Sequence, residues 1–215
     1  EAKGNVSYKL RVNMKKLSHK QKERKHKEPF TRDEYDSIMV NCWRVPKFSF
    51  GNKYIENRAF FKTATALSYW TGLRLCDCAS LEWDAVITEP DHLVVWTKKA
   101  GDSEHARVAL PLENPLVGSG ELREVLNELP FESPQYVFPH HHKIITTIRT
   151  RSYLPQAYRR FLKQKDMFGE SFSKTFHCLR HSFVTRMSEA GVGIEDIGKL
   201  VAHADTTTTD IYNHA

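Results

Sequence analysis

The sequence predicts an α+β domain that is mostly α-helical and carries a small three-stranded antiparallel sheet. Apolar residues recur at three- and four-residue spacing over most of the 215 residues, as in amphipathic helices. Two β-rich runs, HLVVWTK and HARVALPL, interrupt this pattern near the middle of the chain. A hydrophobic content of 40% with 27% charged residues is ordinary for a globular protein. We therefore expect one main domain with a single sizeable core.

The chain divides by charge into residues 1–28, a basic arm, and residues 29–215, the folded domain. The arm holds ten Lys or Arg against three Asp or Glu, which is +7, and the remainder is −1. A solvated tail explains such a run in most proteins. The alternative is an interdomain linker, the remnant of a preceding DNA-binding region, that follows a phosphate backbone. In that case the contacts come from Lys15, Lys16, Lys20, Lys22, Arg24, Lys25 and Lys27.

Three helices are predicted after the arm. Thr31 and Glu34 form a capping-box pattern at the start of FTRDEYDSIMVNCW. A second helix spans NRAFFKTATALSYW and ends at Gly72, which suits a left-handed cap. RLCDCASLEW follows at once as a third helix.

The two β-rich runs are predicted to pair as a hairpin, because KAGDSE between them contains Gly and Asp. DAVIT, just before them, is expected to supply the third strand. Helical patterns then return in ELREVLNEL, LPQAYRRFLKQK, TFHCLRHSF and GIEDIGKLVAH, and Asp205 is expected to cap a last helix. His140–His142 are expected in an exposed loop, since three successive residues cannot all face one metal ion on a regular element.

Basic and nucleophilic side chains in four short stretches point to phosphate chemistry. Two guanidiniums suit a phosphodiester, because each presents planar donors to non-bridging oxygens and keeps its charge at neutral pH. No cluster of Asp and Glu has the pattern of a magnesium site, which disfavours a metal-dependent nuclease. The residues are Arg74, Lys98 and Lys99, His177 and Arg180, and His203 and Tyr212.

These motifs, in this order, resemble those of the tyrosine recombinase (phage integrase) family. TGLRLCD is similar to the family's first arginine motif, with Arg74 as the catalytic arginine and Asp77 in support. HCLRHSF matches the His-x-x-Arg box and assigns His177 and Arg180. VAHADTTTTDIY resembles the segment in which a histidine precedes the nucleophile, and it implies the last two site residues, His203 and Tyr212. The resemblance covers nearly all of residues 30–215 and implies the family's catalytic-domain fold.

The family's mobile lysine corresponds to Lys98 or Lys99 in TKKAG, and Lys99 is favoured because that lysine most often directly precedes a Thr-Gly-like pair. Two features depart from the family. Ala202 stands where glycine is usual, and the chain stops three residues after Tyr212. We therefore expect a catalytic fragment, truncated soon after the nucleophile, of a longer protein.

The resemblance implies strand transfer through a covalent 3′-phosphotyrosine without a metal or any other cofactor. Its implied partners are double-stranded DNA, further protomers of a synaptic tetramer on DNA, and accessory DNA-bending or directionality proteins, with no membrane. A type IB topoisomerase uses the same residues and is the nearest alternative. A relative that binds DNA without cleaving it is the other.

Each site residue also has a bland interpretation. Arg74 could be a surface arginine, the lysines could serve only solubility, and Tyr212 could be a core tyrosine beside the apolar Ile211. Their joint, ordered occurrence favours the functional interpretation. The four cysteines have no zinc-like spacing and predict reduced thiols. With no secretory leader or apolar run long enough to span a membrane, we expect a cytoplasmic protein, associated with the nucleoid if bacterial.

Overall fold

The computed structural model describes residues 28–50, 53–87, 92–98, 105–118, 120–129 and 131–201. The described helices are α1 (Arg32–Asn41), α2 (Arg58–Thr71), α3 (Leu75–Ala79), α4 (Trp83–Ile87), α5 (Glu121–Asn127), α6 (Pro139–Thr146), α7 (Tyr153–Leu162), α8 (His177–Glu189) and α9 (Ile194–Leu200). The strands are β1 (Phe48–Phe50), β2 (Lys53–Ile55), β3 (His92–Lys98) and β4 (His105–Pro111). Residues 1–27 of the basic arm, Lys99, His203, Asp205 and Tyr212 lie outside the described residues.

The start of α1 confirms the predicted capping box. Thr31 Oγ1 accepts the backbone N–H of Glu34 at 3.2 Å, and the Glu34 carboxylate accepts the backbone N–H of Thr31 at 2.8 Å. The helix buries Tyr35 and Ile38 against the core. The predicted first helix is thus confirmed at its amino end by a pair of side-chain hydrogen bonds.

Helix α2 is the centre of the fold. From Phe60 to Thr71 every residue but Lys62 is buried, so the helix has no solvent-facing stripe. It packs against α1, α3, α5 and α8. Because α2 runs directly into the Arg74 segment and also packs on α8, it holds the two arginine motifs against one another.

A small satellite cluster lies beside the main core. It joins the carboxyl half of α8 to α9 and consists of Phe183, Val184, Met187, Ile197 and Val201. Phe183, Val184 and Met187 are the α8 members of this cluster, and Gly191 follows the helix with φ of +79°. The satellite cluster therefore anchors α9 to the helix that carries His177 and Arg180.

The predicted hairpin is confirmed, but the predicted third strand is wrong. Strands β3 and β4 pair antiparallel from His92 opposite Pro111 to Lys98 opposite His105. Residues 84–87 of DAVIT instead lie in α4, which packs on β3. A short apolar run fits a strand or one turn of a buried helix equally well, and tertiary contacts decided for the helix. Among the described residues this sheet has two strands.

A second hairpin, β1 with β2, was not predicted. The two strands pair antiparallel from Phe48 opposite Ile55 to Phe50 opposite Lys53. Its sequence signal was Gly51-Asn52 between two short runs with aromatic residues, a pattern typical of a two-residue hairpin turn. Two small sheets therefore replace the single three-stranded one.

The predicted exposed loop at His140–His142 is also wrong, because these residues lie in α6. Pro139 occupies the first turn, where its missing N–H is not needed. His141 is buried, stacks on Phe60 with ring centroids 4.1 Å apart, and contacts Asn57 Oδ1 through Nε2 at 3.1 Å. A neutral histidine thus serves as a core residue. The run of three histidines in the sequence gave no indication of this burial.

Burial makes His141 a determinant of acid stability. Desolvation, with the charge of His140 second, lowers the pKa of His141 from 6.5 to about 3. Below pH 6.5 the unfolded chain therefore binds a proton at this position that the folded chain does not bind. As the pH is lowered, the free energy of unfolding falls by up to about 1.4 kcal/mol per pH unit. Urea denaturation between pH 7 and pH 4 should show a shallower fall for His141→Gln, which retains an N–H donor.

The exposed neighbour His140→Gln is the control for this measurement and should keep most of the parental fall, because it removes only the smaller cause of the shift. Parallel pH profiles for the parent and His141→Gln would contradict the assignment of this acid sensitivity to His141.

Gly72 ends α2 in the left-handed conformation, with φ of +72°, as predicted. A Cβ there would lie 2.7 Å from Phe183 Cδ1 and 2.8 Å from Val201 Cγ1. We expect Gly72→Ala to lower the free energy of unfolding by about 2–4 kcal/mol, since backbone strain and overpacking add. Gly169→Ala is the control, because Gly169 has φ of +81° but a Cβ would meet nothing within 4 Å. If Gly72→Ala and Gly169→Ala lose equal free energies of unfolding in urea denaturation, overpacking at Gly72 is contradicted.

No helix within the described ranges combines the length and the apolar character that crossing a bilayer requires.

Candidate active site

Arg74 lies at the amino-terminal cap of α3, two residues after the Gly72 turn. Its backbone is extended, with φ of −75° and ψ of 157°, and its backbone N–H donates to Asp77 Oδ2 at 3.2 Å. The guanidinium Nη1 lies 3.9 Å from the same carboxylate oxygen, and about a quarter of the side chain is exposed. The Gly-x-Arg-x-x-Asp spacing thus places arginine and carboxylate side by side at the surface of the core.

Asp77 contacts Arg74 and lies near enough to Arg180 to interact with its charge. Burial raises the pKa of this carboxyl, and the positive charges of Arg74 and Arg180 oppose that rise. The carboxylate also lies 3.7 Å from the Cys76 thiol through Oδ1. A partly buried carboxylate with two cationic neighbours can orient their side chains, which fits the supporting role assigned to Asp77 from the sequence.

Arg180 is nearly inaccessible, with 3% of its surface exposed. Its Nη1 donates to the Gly72 carbonyl at 2.7 Å and its Nη2 donates to the Val201 carbonyl. One carbonyl lies two residues before Arg74 and the other two residues before His203. Arg180 therefore ties together the two chain segments that lead into the other site motifs.

The two guanidiniums are close enough for their charges to interact. Burial, with the positive charge of Arg74 second, lowers the pKa of Arg180 from 12.5 to about 9, while Asp77 opposes the shift. Two guanidiniums and one carboxyl therefore share a largely dry environment. A bound anion would relieve this repulsion, so the site is electrostatically prepared for a phosphate.

His177 is exposed and begins α8, three residues before Arg180. Its ring lies edge-on to that of His181, with centroids 4.9 Å apart. The helix start thus presents one imidazole toward solvent near the buried guanidinium. This placement suits a group that meets a substrate arriving from outside.

Cys76 is a neighbour of the site that the sequence did not single out. Desolvation by neighbouring atoms, with the negative charge of Asp77 second, raises the pKa of the exposed Cys76 thiol to about 11. It therefore remains a neutral thiol at pH 7 and adds no negative charge that would repel a phosphate. Its only signal was its position between Arg74 and Asp77.

The structure brings together some of the predicted residues, and the others lie outside its described part. Arg74, Asp77 and Arg180 lie close enough to influence one another's charges, and His177 lies three residues before Arg180 at the start of α8. Lys99, His203, Tyr212 and the seven arm residues are not described, and Lys98 ends β3 opposite His105. The Gly72 and Val201 carbonyls were missed as partners of Arg180, because a backbone group gives no signal in a sequence.

Comparison with known proteins finds relatives along most of this chain. A model of the phage integrase family matches residues 28–215. A tyrosine recombinase of Thermosipho africanus is 26% identical over 203 residues, which are 94% of this chain and 62% of that protein. Tyrosine recombinase XerA of Pyrococcus furiosus is 32% identical over 149 residues, 68% of this chain and 47% of XerA. The chain therefore spans only about half the length of such relatives.

Solved structures share the fold. A lambda integrase dimer bound to a COC′ core site superposes with a TM-score of 0.56 at 19% identity, covering 86% of this chain and 47% of that one. This likeness confirms the predicted catalytic-domain fold, mostly helical with a small antiparallel sheet. The family model matches residues 28–215, and the structure holds the two arginine motifs next to one another. The chain therefore belongs to the phage integrase family, the tyrosine recombinases.

Proposed function

We propose that this chain catalyses site-specific DNA recombination or integration by transesterification through a covalent 3′-phosphotyrosyl intermediate. The observation that carries the proposal is the hydrogen bond from Arg180 Nη1 to the Gly72 carbonyl, two residues before Arg74, with the Asp77 carboxyl near both arginines. Two fixed guanidiniums can bind two non-bridging oxygens of one phosphodiester. They stabilise the pentacoordinate transition state, in which charge on those oxygens increases, more than the ground state.

In the proposed reaction Tyr212 attacks the scissile phosphorus and the bond to the 5′ oxygen breaks. His177 accepts the phenol proton, since a phenol with a pKa near 10 is a weak nucleophile when neutral. Lys99 gives a proton to the departing 5′ oxygen, and His203 donates a hydrogen bond to the phosphate. The phosphotyrosyl bond conserves the energy of the phosphodiester. A 5′ hydroxyl of a second duplex can therefore reverse the step without ATP.

The proposed partners are double-stranded DNA and further protomers of this protein, assembled as a synaptic tetramer with accessory DNA-bending or directionality proteins. The lambda integrase structure, described as a dimer on a core site, supports the first two by analogy. Relatives that are recombinases and integrases, rather than topoisomerases, favour recombination over relaxation.

A nicked suicide substrate tests the proposal, because loss of the short cleaved product traps the intermediate. In the presence of EDTA, we expect a denaturant-resistant protein–DNA adduct whose cross-linked peptide contains Tyr212. An adduct on another residue would refute the assigned nucleophile, and absence of any adduct on cognate DNA would refute the enzyme. Relaxation of a plasmid without synapsis would instead favour the topoisomerase.

The basic arm is proposed to bind the DNA backbone. Replacing Lys15, Lys16, Lys20, Lys22, Arg24, Lys25 and Lys27 with Gln should weaken binding and flatten its salt dependence. The slope of log K against log salt should change by about 0.9 for each lost phosphate contact. Lys62→Gln is the control, since Lys62 already pairs with Glu128. Titrations by fluorescence anisotropy at several salt concentrations check this, and an unchanged slope would leave the arm as a solvated tail.

A further inference from the structure

The chain joins the folded domain at Phe30, directly against the active-site helix. The backbone N–H of Phe30 donates to Ser182 Oγ at 2.7 Å, and the Ser182 hydroxyl lies 3.2 Å from the Phe30 carbonyl. Both residues are buried, with 4% and 3% of their surfaces exposed. The contact spans 152 positions of sequence and lies two residues after Arg180. One hydroxyl thus holds the first residue of the domain to α8.

A second contact holds the same segment on the other side of His177. Lys174 Nζ contacts both oxygens of Glu34, at 2.8 and 2.6 Å, and the lysine side chain is only 10% exposed. The same Glu34 carboxylate accepts the backbone N–H of Thr31. This ion pair is therefore joined to the amino-terminal cap of α1.

Aromatic packing closes the arrangement. Phe30 lies 5.9 Å from Phe172 between ring centroids, and Lys174 Nζ lies 5.5 Å from the Phe30 ring centroid. We call the set of Phe30, Thr31, Glu34, Lys174 and Ser182 the clip.

The clip brackets the catalytic box in sequence and in space. Lys174 precedes His177 by three residues, and Ser182 follows Arg180 by two. A charged hydrogen bond and a buried hydroxyl are costly to break without water to replace them. A shift of Phe30 should therefore move the start of α8 rather than detach from it.

We propose that the clip couples the seating of the basic arm on DNA to the placement of His177 and Arg180, which makes Ser182 a positioning residue for strand cleavage. This inference rests on the proposed function. Arm residues that bind phosphates fix the chain just before Phe30, and the clip passes that restraint to α8. DNA held by the arm is then cleaved faster even when all the protein is bound.

A cycle of full-length variants on the suicide substrate tests the coupling. The arm carries either its native residues or the seven Gln replacements. Position 182 is Ser, Ala or Thr. Single-turnover adduct formation is measured at saturating DNA, with thermal melting for each variant. With Ser182, we expect arm neutralisation to slow cleavage about tenfold. With the native arm, Ser182→Ala should cleave about tenfold more slowly than the parent, and neutralising the arm should not slow this variant further. Ser182→Thr keeps the hydroxyl and should retain the coupling.

Two further variants keep the test independent of simple loss of stability. Lys174→Gln removes the other half of the clip and should also uncouple cleavage from the arm. Ser188→Ala, six residues along α8, is the matched control and should leave the coupling intact. If the rate losses from arm neutralisation and from Ser182→Ala multiply while the parent still cleaves, the clip is overturned. The same holds if Ser182→Thr loses the coupling as completely as Ser182→Ala. A parent that forms no adduct would overturn the proposed function, and the clip with it.

Discussion

Replacement of Arg180 with Ala should slow adduct formation by at least about 1,000-fold, and it should also destabilise the fold. One positioned donor to a developing oxyanion is worth about 100- to 1,000-fold, and Arg180 offers a charged one. Its loss also leaves the buried carbonyls of Gly72 and Val201 without their guanidinium donors. Each unsatisfied carbonyl costs about 1–3 kcal/mol, and the clamp between the segments leading to Arg74 and His203 is lost.

The two effects of Arg180→Ala are separable by experiment. Single-turnover cleavage at saturating DNA, corrected for the folded fraction from urea denaturation, isolates the catalytic loss. Arg180→Lys keeps the charge but has no planar fork to reach two carbonyls and a phosphate together, so we expect it to remain at least about 100-fold slow.

Arg186 supplies the matched control for Arg180. It lies on the same helix and donates to the Tyr69 carbonyl at 2.7 Å. Its guanidinium carbon lies 4.3 and 4.4 Å from the ring centroids of Tyr69 and Trp70. Arg186→Ala should therefore lower stability, yet the folded protein should cleave at the parental rate. Equal catalytic losses from both substitutions would mean that damage to α8, rather than lost phosphate binding, explains the result.

Tyr212→Phe should abolish the covalent adduct, because phenylalanine has no oxygen to form the phosphotyrosyl bond. DNA affinity measured by anisotropy should change by less than about twofold, since one exchanged hydroxyl leaves the charge of the protein unaltered. Denaturing gels of the suicide-substrate reaction give the readout. Tyr153→Phe, at an exposed tyrosine of α7, is the control and should cleave normally. A denaturant-resistant adduct formed by Tyr212→Phe would show that another residue attacks the phosphate.

The helices were the most predictable part of the fold, since they carry local signals. Thr31 with Glu34 marked the start of α1, and Gly72 marked the end of α2, because both positions use chemistry that few residues provide. The regions predicted wrongly lack such signals. DAVIT is too short to show a period, and the side chain of His141 becomes neutral and buried through tertiary contacts such as those with Phe60 and Asn57.

The site residues themselves were predictable from residue types, but the contacts that hold them in place were not. Arg74, Asp77 and Arg180 were chosen from motifs, and the structure places their charges within mutual influence. The hydrogen bonds from Arg180 to the Gly72 and Val201 carbonyls form because distant segments meet, and no local sequence pattern encodes that meeting. The same holds for Ser182, whose neighbour Phe30 lies 152 positions away.

The satellite cluster implies a foldon boundary at α9. Five buried side chains hold α9 to α8, whereas α2 is enclosed by the main core. Amide hydrogens of α9 should therefore exchange through a local opening that requires only a fraction of the global free energy of unfolding, while those of α2 await complete unfolding. A domain built this way can release and recapture α9 while α2 and the segment that leads to Arg74 remain folded.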